Sequence, residues 1–245
     1  MITRVLPYRF TDDPPAMVAF LETLGLAREI SAPDGGFAVL GAASGGVGVH
    51  HVSTDNVAGE THLVLEVASA DVLTGLDGVV VWDEAWGKQA GIADPLGGGI
   101  WLDEVQTDLY GYVAHHGTPH DGLVVDAIRF STDFAADQAF FAHFGLVPVG
   151  HHDEYWTPLQ ASSSSGTLAL HRNTGEAVTR PAPGNPVGDH SLCILGFETT
   201  EALEDVCDRL VAAGHPAELI EGERRAVHVV DPDGQEIQIH ELGGC

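Results

Sequence analysis

Two arginines occupy matching places in a long internal repeat. The segment RFTDDPPAMVAFLETLGL runs from Arg9 to Leu26 and RFSTDFAADQAFFAHFGL runs from Arg129 to Leu146, so equivalent residues lie 120 positions apart. A guanidinium can hold a carboxylate, a phosphate or a planar aromatic group through its rigid fork of donors. Arg9 and Arg129 are therefore candidate ligand-binding residues. The open alternative is that each pairs with a nearby aspartate or caps the edge of a sheet.

Histidines form a second set of candidates. His171, His190 and His240 could build an unusual metal site or an acid–base site, because imidazole titrates near neutral pH. The chain holds 14 histidines in all, so chance proximity is the alternative. The clusters at 115–120 and 151–154 could also catch a transition metal, but both lie in linker-like or turn-like sequence that offers no rigid backbone.

The elements that position these residues follow the repeat. Each half reads as strand, helix and strands, and then as strand, helix and strands again. The first helix should begin after Thr11-Asp12-Asp13, a segment that can cap it, and end at Gly25. Its apolar face consists of Met17, Phe20, Leu21 and Leu24. The second half predicts an equivalent helix over 135–144 and an amphipathic helix with Leu203, Val206, Cys207, Leu210 and Val211 on one face.

Both halves also end alike, with ADPLGGGIWLDE (Ala93 to Glu104) and VDPDGQEIQIHE (Val230 to Glu241). A polar segment rich in Gly, Pro and His separates the halves. The repeat therefore predicts a first domain over 1–106, a linker over 107–122 and a second domain over 123–245.

These motifs together resemble the vicinal-oxygen-chelate superfamily, which includes glyoxalase I, bleomycin-resistance proteins and extradiol dioxygenases. The resemblance rests on the strand–helix starts ending in LGL and FGL, the strands LEV and FET, and the turns DPLGGGIWL and DPDGQEIQI. It covers nearly the whole chain. It implies an α+β fold with four tandem βαβββ modules, which form two glyoxalase-like open-barrel domains, each around a cavity.

The resemblance also implies where a metal would bind. Enzymes of the superfamily usually hold a divalent ion between a His on the first strand, a His or similar residue on the fifth and a Glu on the last. Those positions fall at Pro7, His62 and Trp101 in one half and at Ala127, Ile194 and Gln238 in the other. Only His62 is a good ligand, and Gln238 is a weak neutral one. We therefore expect no cofactor, with a divalent metal as the disfavoured alternative.

The same positions suggest which residues line the two cavities. Residues two apart on a strand share a face, so Arg9, Arg129 and His240 should point the same way as Pro7, Ala127 and Gln238. Trp101 would offer a planar or cationic ligand a stacking surface, or would simply fill its cavity. The expected ligand-binding residues are Arg9, His62, Trp101, Arg129, Tyr155, Trp156, His171, Gln238 and His240.

The composition of the chain limits which partners are expected to bind it. Ten basic residues against 36 acidic ones give a net charge of −26, which repels nucleic acid and anionic membranes and favours a basic ligand. The alternative is that the acidic side chains only keep the protein soluble. There is neither an apolar run of about 20 residues nor a signal-like start, so we expect a cytoplasmic protein. The three cysteines, Cys193, Cys207 and Cys245, are too few and too far apart for a disulfide framework.

Three functional interpretations follow. The favoured one is metal-independent binding or sequestration of a small organic molecule, cationic or aromatic, such as an antibiotic or a pathway intermediate. The alternative is an enzyme of the same fold, a lyase, isomerase or dioxygenase, with a rearranged histidine-containing metal or acid–base site. In the third, one half, more plausibly the first, has lost its pocket and only packs against the other. A homodimer is left open.

Overall fold

The computed structural model describes residues 2–222 and 224–243, so Cys245 lies outside the described part of the chain. Strands predominate there, and three α-helices pack against them. The α+β class is confirmed at this level, whereas the finer division into four βαβββ modules remains a prediction. Among these residues, no helix combines the length and the apolar character that crossing a bilayer requires.

The first half of the chain contains eleven of the labelled strands and one α-helix. They are β1 (Ile2–Val5), β2 (Tyr8–Thr11), α1 (Pro14–Leu24), β3 (Ala27–Ser31), β4 (Phe37–Gly41), β5 (Gly46–His51), β6 (Thr61–His62), β7 (Val64–Val67), β8 (Val79–Glu84), β9 (Gly87–Ala93), β10 (Gly98–Glu104) and β11 (Val113–Ala114). A short 3₁₀ helix, Ala70–Leu73, follows β7.

The second half contains the remaining labelled elements. They are β12 (Val124–Ser131), α2 (Phe134–Ala142), β13 (Val147–Pro148), β14 (Trp156–Gln160), β15 (Thr167–Arg172), β16 (Thr179–Arg180), β17 (Asp189–Thr199), α3 (Leu203–Ala212), β18 (Ala217–Ile220), β19 (Ala226–Val230) and β20 (Glu236–Glu241).

The helices that open the two halves begin in the same way. Asp13 caps α1 by accepting a hydrogen bond from the Ala16 amide at 3.1 Å, and Asp133 caps α2 by accepting one from the Ala136 amide at 3.0 Å. Each carboxylate satisfies an amide that the helix itself leaves without a partner. Gly25 ends α1 with a φ of 114°, a backbone conformation that glycine adopts without steric cost. The predicted start and end of α1 therefore match the structure.

The chain divides into two compact units, and each unit draws on both halves of the repeat. The first unit contains 2–7, 61–110 and 127–194, and the second contains 8–60, 111–126 and the described part of 195–243. The domain boundaries expected from the sequence follow the repeat instead, and they remain a prediction.

Each unit has a hydrophobic core of its own. In the second unit the predicted apolar faces of α1 and α3 are buried in one core with the inner faces of β17, β19 and β20. The α3 face is narrower than predicted, because Val211 is 53% exposed. The first unit buries its core between α2 and strands that include β7, β10 and β15, and Cys193 belongs to it. In each unit, the strand face that is not buried in the core is the face that can contact a ligand.

Candidate functional site

The second unit presents a row of polar side chains on the sheet face that lies opposite its core. On β20, Ile237 and Ile239 are buried in the core, and Glu236, Gln238 and His240 point the other way, as strand alternation requires. Neighbouring strands add Glu198 from β17 and His228 from β19. We call Glu198, His228, Glu236, Gln238 and His240 the polar face.

Glu198 and His240 are neighbours by register on this face. β17 and β20 run parallel, and Glu198 lies directly opposite His240. Residues opposite each other on paired strands project to the same side of a sheet. Both residues are partly buried. A carboxyl group and an imidazole therefore project from neighbouring strands on the same face, and each is partly desolvated.

Burial moves the pKa values of the two groups in opposite directions. It raises the pKa of Glu198 above its ordinary value, against a smaller lowering by the positive charge of Arg224. Burial also lowers the pKa of His240, and the charge of Arg224 lowers it further. Desolvation disfavours the charged form of either group, so a protonated carboxyl coexists with a neutral imidazole more often than in two ordinary side chains.

One hydrogen bond orients the imidazole of His240. Its Nδ1 lies 3.2 Å from the backbone carbonyl oxygen of Arg225. Because a carbonyl oxygen can only accept, Nδ1 must carry the proton in this contact. The lone pair of the neutral ring is then on Nε2, the atom that could take a proton from a substrate.

The polar face gains further hydrogen-bond donors and acceptors from His228, Glu236 and Gln238. His228 lies directly opposite Gln238 on the neighbouring strand, and its Nδ1 is 3.1 Å from Oε1 of Glu236. The amide of Gln238 is exposed. The arrangement can bind a small polar molecule and exchange protons with it.

The equivalent positions in the first half are already occupied by protein partners. Nine residues after the two turn aspartates stand Asp103 and His240, and Glu66 lies opposite Asp103 as Glu198 lies opposite His240. Glu66 accepts hydrogen bonds from Thr3 and Arg4, each at 2.8 Å. Asp103 is 3% exposed and accepts one from Gln89 at 2.6 Å. This carboxylate pair has no comparable freedom to act on a substrate.

A later segment of the same unit also packs on that first-half face, over Gly99 and Gly91. A Cβ atom added to Gly99 of β10 would lie 2.7 Å from a methyl of Val187, and one added to Gly91 of β9 would lie 2.8 Å from the other. Val187 is buried, and His190 stacks on His62 with ring centroids 4.3 Å apart. The predicted ligand residue His62 is thus 2% exposed. This covering supports the interpretation that the first half serves packing.

The close approach at Gly99 gives a stability prediction. Gly99→Ala should lower the free energy of unfolding by about 1–3 kcal/mol, because the new methyl overpacks against Val187. Val187→Ala should relieve the clash, so the double variant should be more stable than the sum of the single effects predicts. Urea unfolding measures both effects. Gly222→Ala is the control, because a Cβ there meets nothing within 4 Å. Additive effects of Gly99→Ala and Val187→Ala would contradict the contact.

The two repeated arginines lie in buried ion pairs. Arg129 is 0% exposed, with Nη2 2.9 Å from Oδ2 of Asp94 and Nε 3.5 Å from Oδ2 of Asp137. Its Nη1 donates to Oγ of Ser191 at 2.6 Å. In each unit the arginine engages the aspartate that opens a DP turn, which is the aspartate pairing that the sequence left open.

Arg9 makes the matching contacts in the second unit. It is 1% exposed, pairs with Asp231, and has Nε 3.2 Å from Oδ2 of Asp233. It also donates to Oε1 of Gln235 at 3.1 Å and to the carbonyl oxygen of Gly59. Both guanidiniums are surrounded by protein partners, so we do not include Arg9 and Arg129 in the candidate site.

The predicted aromatic residues lie in the first unit. Trp101 packs edge-to-face on Trp82, with ring centroids 5.3 Å apart. Trp156 packs edge-on against His171 at 6.0 Å, and Tyr155 is 55% exposed with its ring 5.1 Å from the guanidinium carbon of Arg172. Gln238 and His240 alone of the predicted residues meet on the polar face. Glu198 was not predicted, although the matching strands LEV and FET carry its signal.

Solved structures with this fold are found among dioxygenases and glyoxalases. A catechol 2,3-dioxygenase shares 15% identity, with 98% of this chain and 87% of that chain covered and a TM-score of 0.59. A homoprotocatechuate 2,3-dioxygenase from Arthrobacter globiformis shares 14%, covering 98% and 79%, with a TM-score of 0.60. A Mn(II)-bound glyoxalase from Novosphingobium aromaticivorans shares 15%, covering 98% and 81%, with a TM-score of 0.58.

These likenesses extend over nearly the whole chain and decide its architecture. The chain has the vicinal-oxygen-chelate fold. The resemblance seen in its sequence motifs is thereby confirmed. No protein-family model matches the sequence, and no curated protein matches it. At this level of identity the fold is shared, while the chemistry has to be argued from the chain's own residues.

The vicinal-oxygen-chelate fold corrects our expectation about cofactors. We predicted none, and that prediction is contradicted, because a solved structure with this fold is a Mn(II)-bound glyoxalase. We then tested the residues against a divalent ion. Over 2–222 and 224–243, no three His, Cys, Asp or Glu side chains are grouped so as to hold a metal. The usual ligand set of the fold is therefore not assembled by the side chains described.

Proposed function

We propose that this chain is an enzyme of the vicinal-oxygen-chelate fold that acts on a small organic molecule at the polar face, with His240 as general base and Glu198 as proton donor. The reaction would be a proton transfer of the lyase or isomerase type. The observation that carries the proposal is the register of β17 and β20, which sets Glu198 opposite His240 on a face left open by the core.

The proton inventory of such a reaction balances. Nε2 of His240 would remove a proton from a carbon or hydroxyl group of the substrate, while its Nδ1 proton stays on the carbonyl oxygen of Arg225. The protonated carboxyl of Glu198 would deliver a proton to a substrate oxygen that gains charge. One proton is taken and one is given, so the net charge of the site is unchanged.

Ring cleavage of catechols is the second candidate. It is favoured by the fold, since the solved structures with this fold include a catechol 2,3-dioxygenase and a homoprotocatechuate 2,3-dioxygenase in complex with 3,4-dihydroxyphenylacetate. We assign no step through a metal, because no ligand group for one is present among the residues described.

The partners follow from the same observations. We propose a small organic substrate, and the net charge of −26 favours a cationic or neutral compound over a polyanion. Nucleic acid and anionic membranes are disfavoured on the same ground. A cytoplasmic location and a homodimer remain predictions.

The function can be tested by mapping and turnover together. Catechol, 3,4-dihydroxyphenylacetate and a set of α-hydroxyketones would be added to the protein, without metal and with Fe(II) or Mn(II). NMR shift changes should centre on Glu198, Gln238 and His240, and isomerisation should proceed without metal. Binding there without any turnover would favour sequestration. Turnover only with metal would favour ring cleavage, and shifts confined to the first unit would overturn the proposal.

A further inference from the structure

Arg225 is held by three carboxylates. Its Nη2 lies 2.6 Å from Oε1 of Glu204, its Nε lies 2.9 Å from Oε2 of Glu221, and its Nη1 lies 3.1 Å from Oε1 of Glu241. Every nitrogen of the guanidinium is thus engaged. These contacts lower the pKa of Glu204 and raise that of Arg225 further above its ordinary range.

The three carboxylates come from three different parts of the second unit. Glu204 lies in the first turn of α3, Glu221 directly follows β18, and Glu241 ends β20. A guanidinium has a planar, rigid fork of donors, so engaging it from three directions fixes its orientation. The contacts therefore tie the connection between β18 and β19 to the helix and to the strand that carries His240.

The backbone of the same residue touches the proposed base. The carbonyl oxygen of Arg225 is the partner of His240 Nδ1, and the next residue, Ala226, lies directly opposite His240 on the paired strands. Rotation of this peptide group would remove the acceptor from Nδ1. The ion pairs of the Arg225 side chain restrain the backbone of Arg225 on one side of the Arg225–Ala226 peptide group. They therefore oppose rotation of that group.

We infer that Arg225 is a positioning residue, whose clamped guanidinium keeps its own carbonyl oxygen on His240 and thereby selects the imidazole tautomer with Nε2 free. This role rests on the proposed function only in that Nε2 is the base. The tautomer itself is a property of the protein without substrate.

The tautomer can be read directly by ¹⁵N NMR of the histidine rings, with the His240 signals assigned by their loss in His240→Asn. The unmodified protein should show His240 as predominantly Nδ1–H at a pH where the ring is neutral. Arg225→Lys should shift the tautomer ratio toward Nε2–H by roughly 2- to 10-fold, the range that one hydrogen bond supports. A lysine ammonium cannot reproduce three contacts of fixed direction.

Arg28→Lys is the matched control. Its side chain is 34% exposed against 33% for Arg225, but it contacts only Glu22, at 3.1 Å, among the ion pairs found. It should leave the His240 tautomer unchanged. An unchanged tautomer in Arg225→Lys would overturn the inference, as would an equal shift in Arg28→Lys. Failure of the proposed function looks different, because the tautomer would shift as expected while no compound is turned over.

Discussion

Replacing Arg129 by alanine should lower the free energy of unfolding by about 3–5 kcal/mol, the cost of leaving a buried charge without its partner. The side chains of Arg129, Asp94 and Asp137 are all 0% exposed. Removal of the guanidinium leaves two carboxyl groups in a place that water does not reach. It also leaves a cavity in the first unit, which adds to the loss.

The loss should depend on pH in a defined direction. Burial raises the pKa of Asp137, and the charge of Arg129 partly opposes that rise. A carboxyl group whose pKa is raised on folding binds its proton more tightly in the folded state, so its contribution to stability grows as the pH falls. In Arg129→Ala the pKa of Asp137 should rise further, because the positive charge that opposes the rise is absent. The free energy of unfolding that Arg129→Ala loses relative to the unmodified protein should therefore be greatest above neutral pH. This loss should shrink as the pH is lowered toward the raised pKa of Asp137.

Urea unfolding of Arg129→Ala and the unmodified protein at pH 8 and pH 5 measures both effects. Arg172→Ala is the control, because its side chain is 48% exposed and its ion pair with Glu154 spans 3.8 Å. Exposed pairs contribute little to stability. Equal losses in the two variants, or a deficit in Arg129→Ala that grows on acidification, would contradict the buried-pair assignment.

Local features of the fold could be predicted because they depend on short stretches of chain. The cap of α1 within the Thr11-Asp12-Asp13 segment, the end of α1 at Gly25 and the buried face of α1 follow from residues within a few positions of one another. The repeat itself extended these predictions from one half to the other. Short-range sequence signals of this kind act wherever the segment is placed in the fold.

The sequence left the surroundings of the two arginines open, because most of their partners are distant in sequence, although Asp137 is only eight positions from Arg129. Arg9 and Asp231 are 222 positions apart. Strand alternation tells which residues share a face, but it does not tell whether that face meets the core or a cavity. The sequence placed Arg129 with Ala127, and both are indeed buried together at 0% exposure. The error was to take that shared face for the cavity side.

Two residues of the polar face could be predicted from the sequence. Gln238 and His240 followed from the DPDG turn, and the resemblance placed them correctly on one face. Glu198 could have been found by comparing the halves, since Glu66 and Asp103 face each other as Glu198 and His240 do. The packing of Val187 on the first-half face could not be predicted from the sequence. Val187 lies in a segment rich in Pro and Gly, and such a segment carries no periodic pattern that predicts where it packs.

The largest functional effect is expected from His240→Asn, which should reduce kcat/KM by about 10²–10⁴-fold for a compound that the unmodified protein isomerises. Asparagine keeps a polar side chain on the polar face but cannot accept and hold a proton. The loss should appear in kcat more than in KM, because proton removal occurs in the transition state. His143→Asn is the control, since His143 is exposed and its Nδ1 contacts only the backbone oxygen of Ala139 among the hydrogen bonds found.

The pH profile of the unmodified enzyme adds a second, independent signature. Among the described residues, the charged or titratable groups around the pair are Arg224, Arg225, His228 and Glu236. Burial lowers the pKa of His240, so the base should remain active to a lower pH than an ordinary histidine. Burial raises the pKa of Glu198, so the proton donor should persist to a higher pH than an ordinary glutamate. Both shifts bring the two pKa values closer together, so a larger share of the protein holds neutral imidazole together with protonated carboxyl, and the rate should fall on either side of the pH at which that share is greatest. Glu198→Gln should remove the fall at high pH and leave the fall at low pH, and a profile that keeps both limbs would exclude Glu198 as the donor.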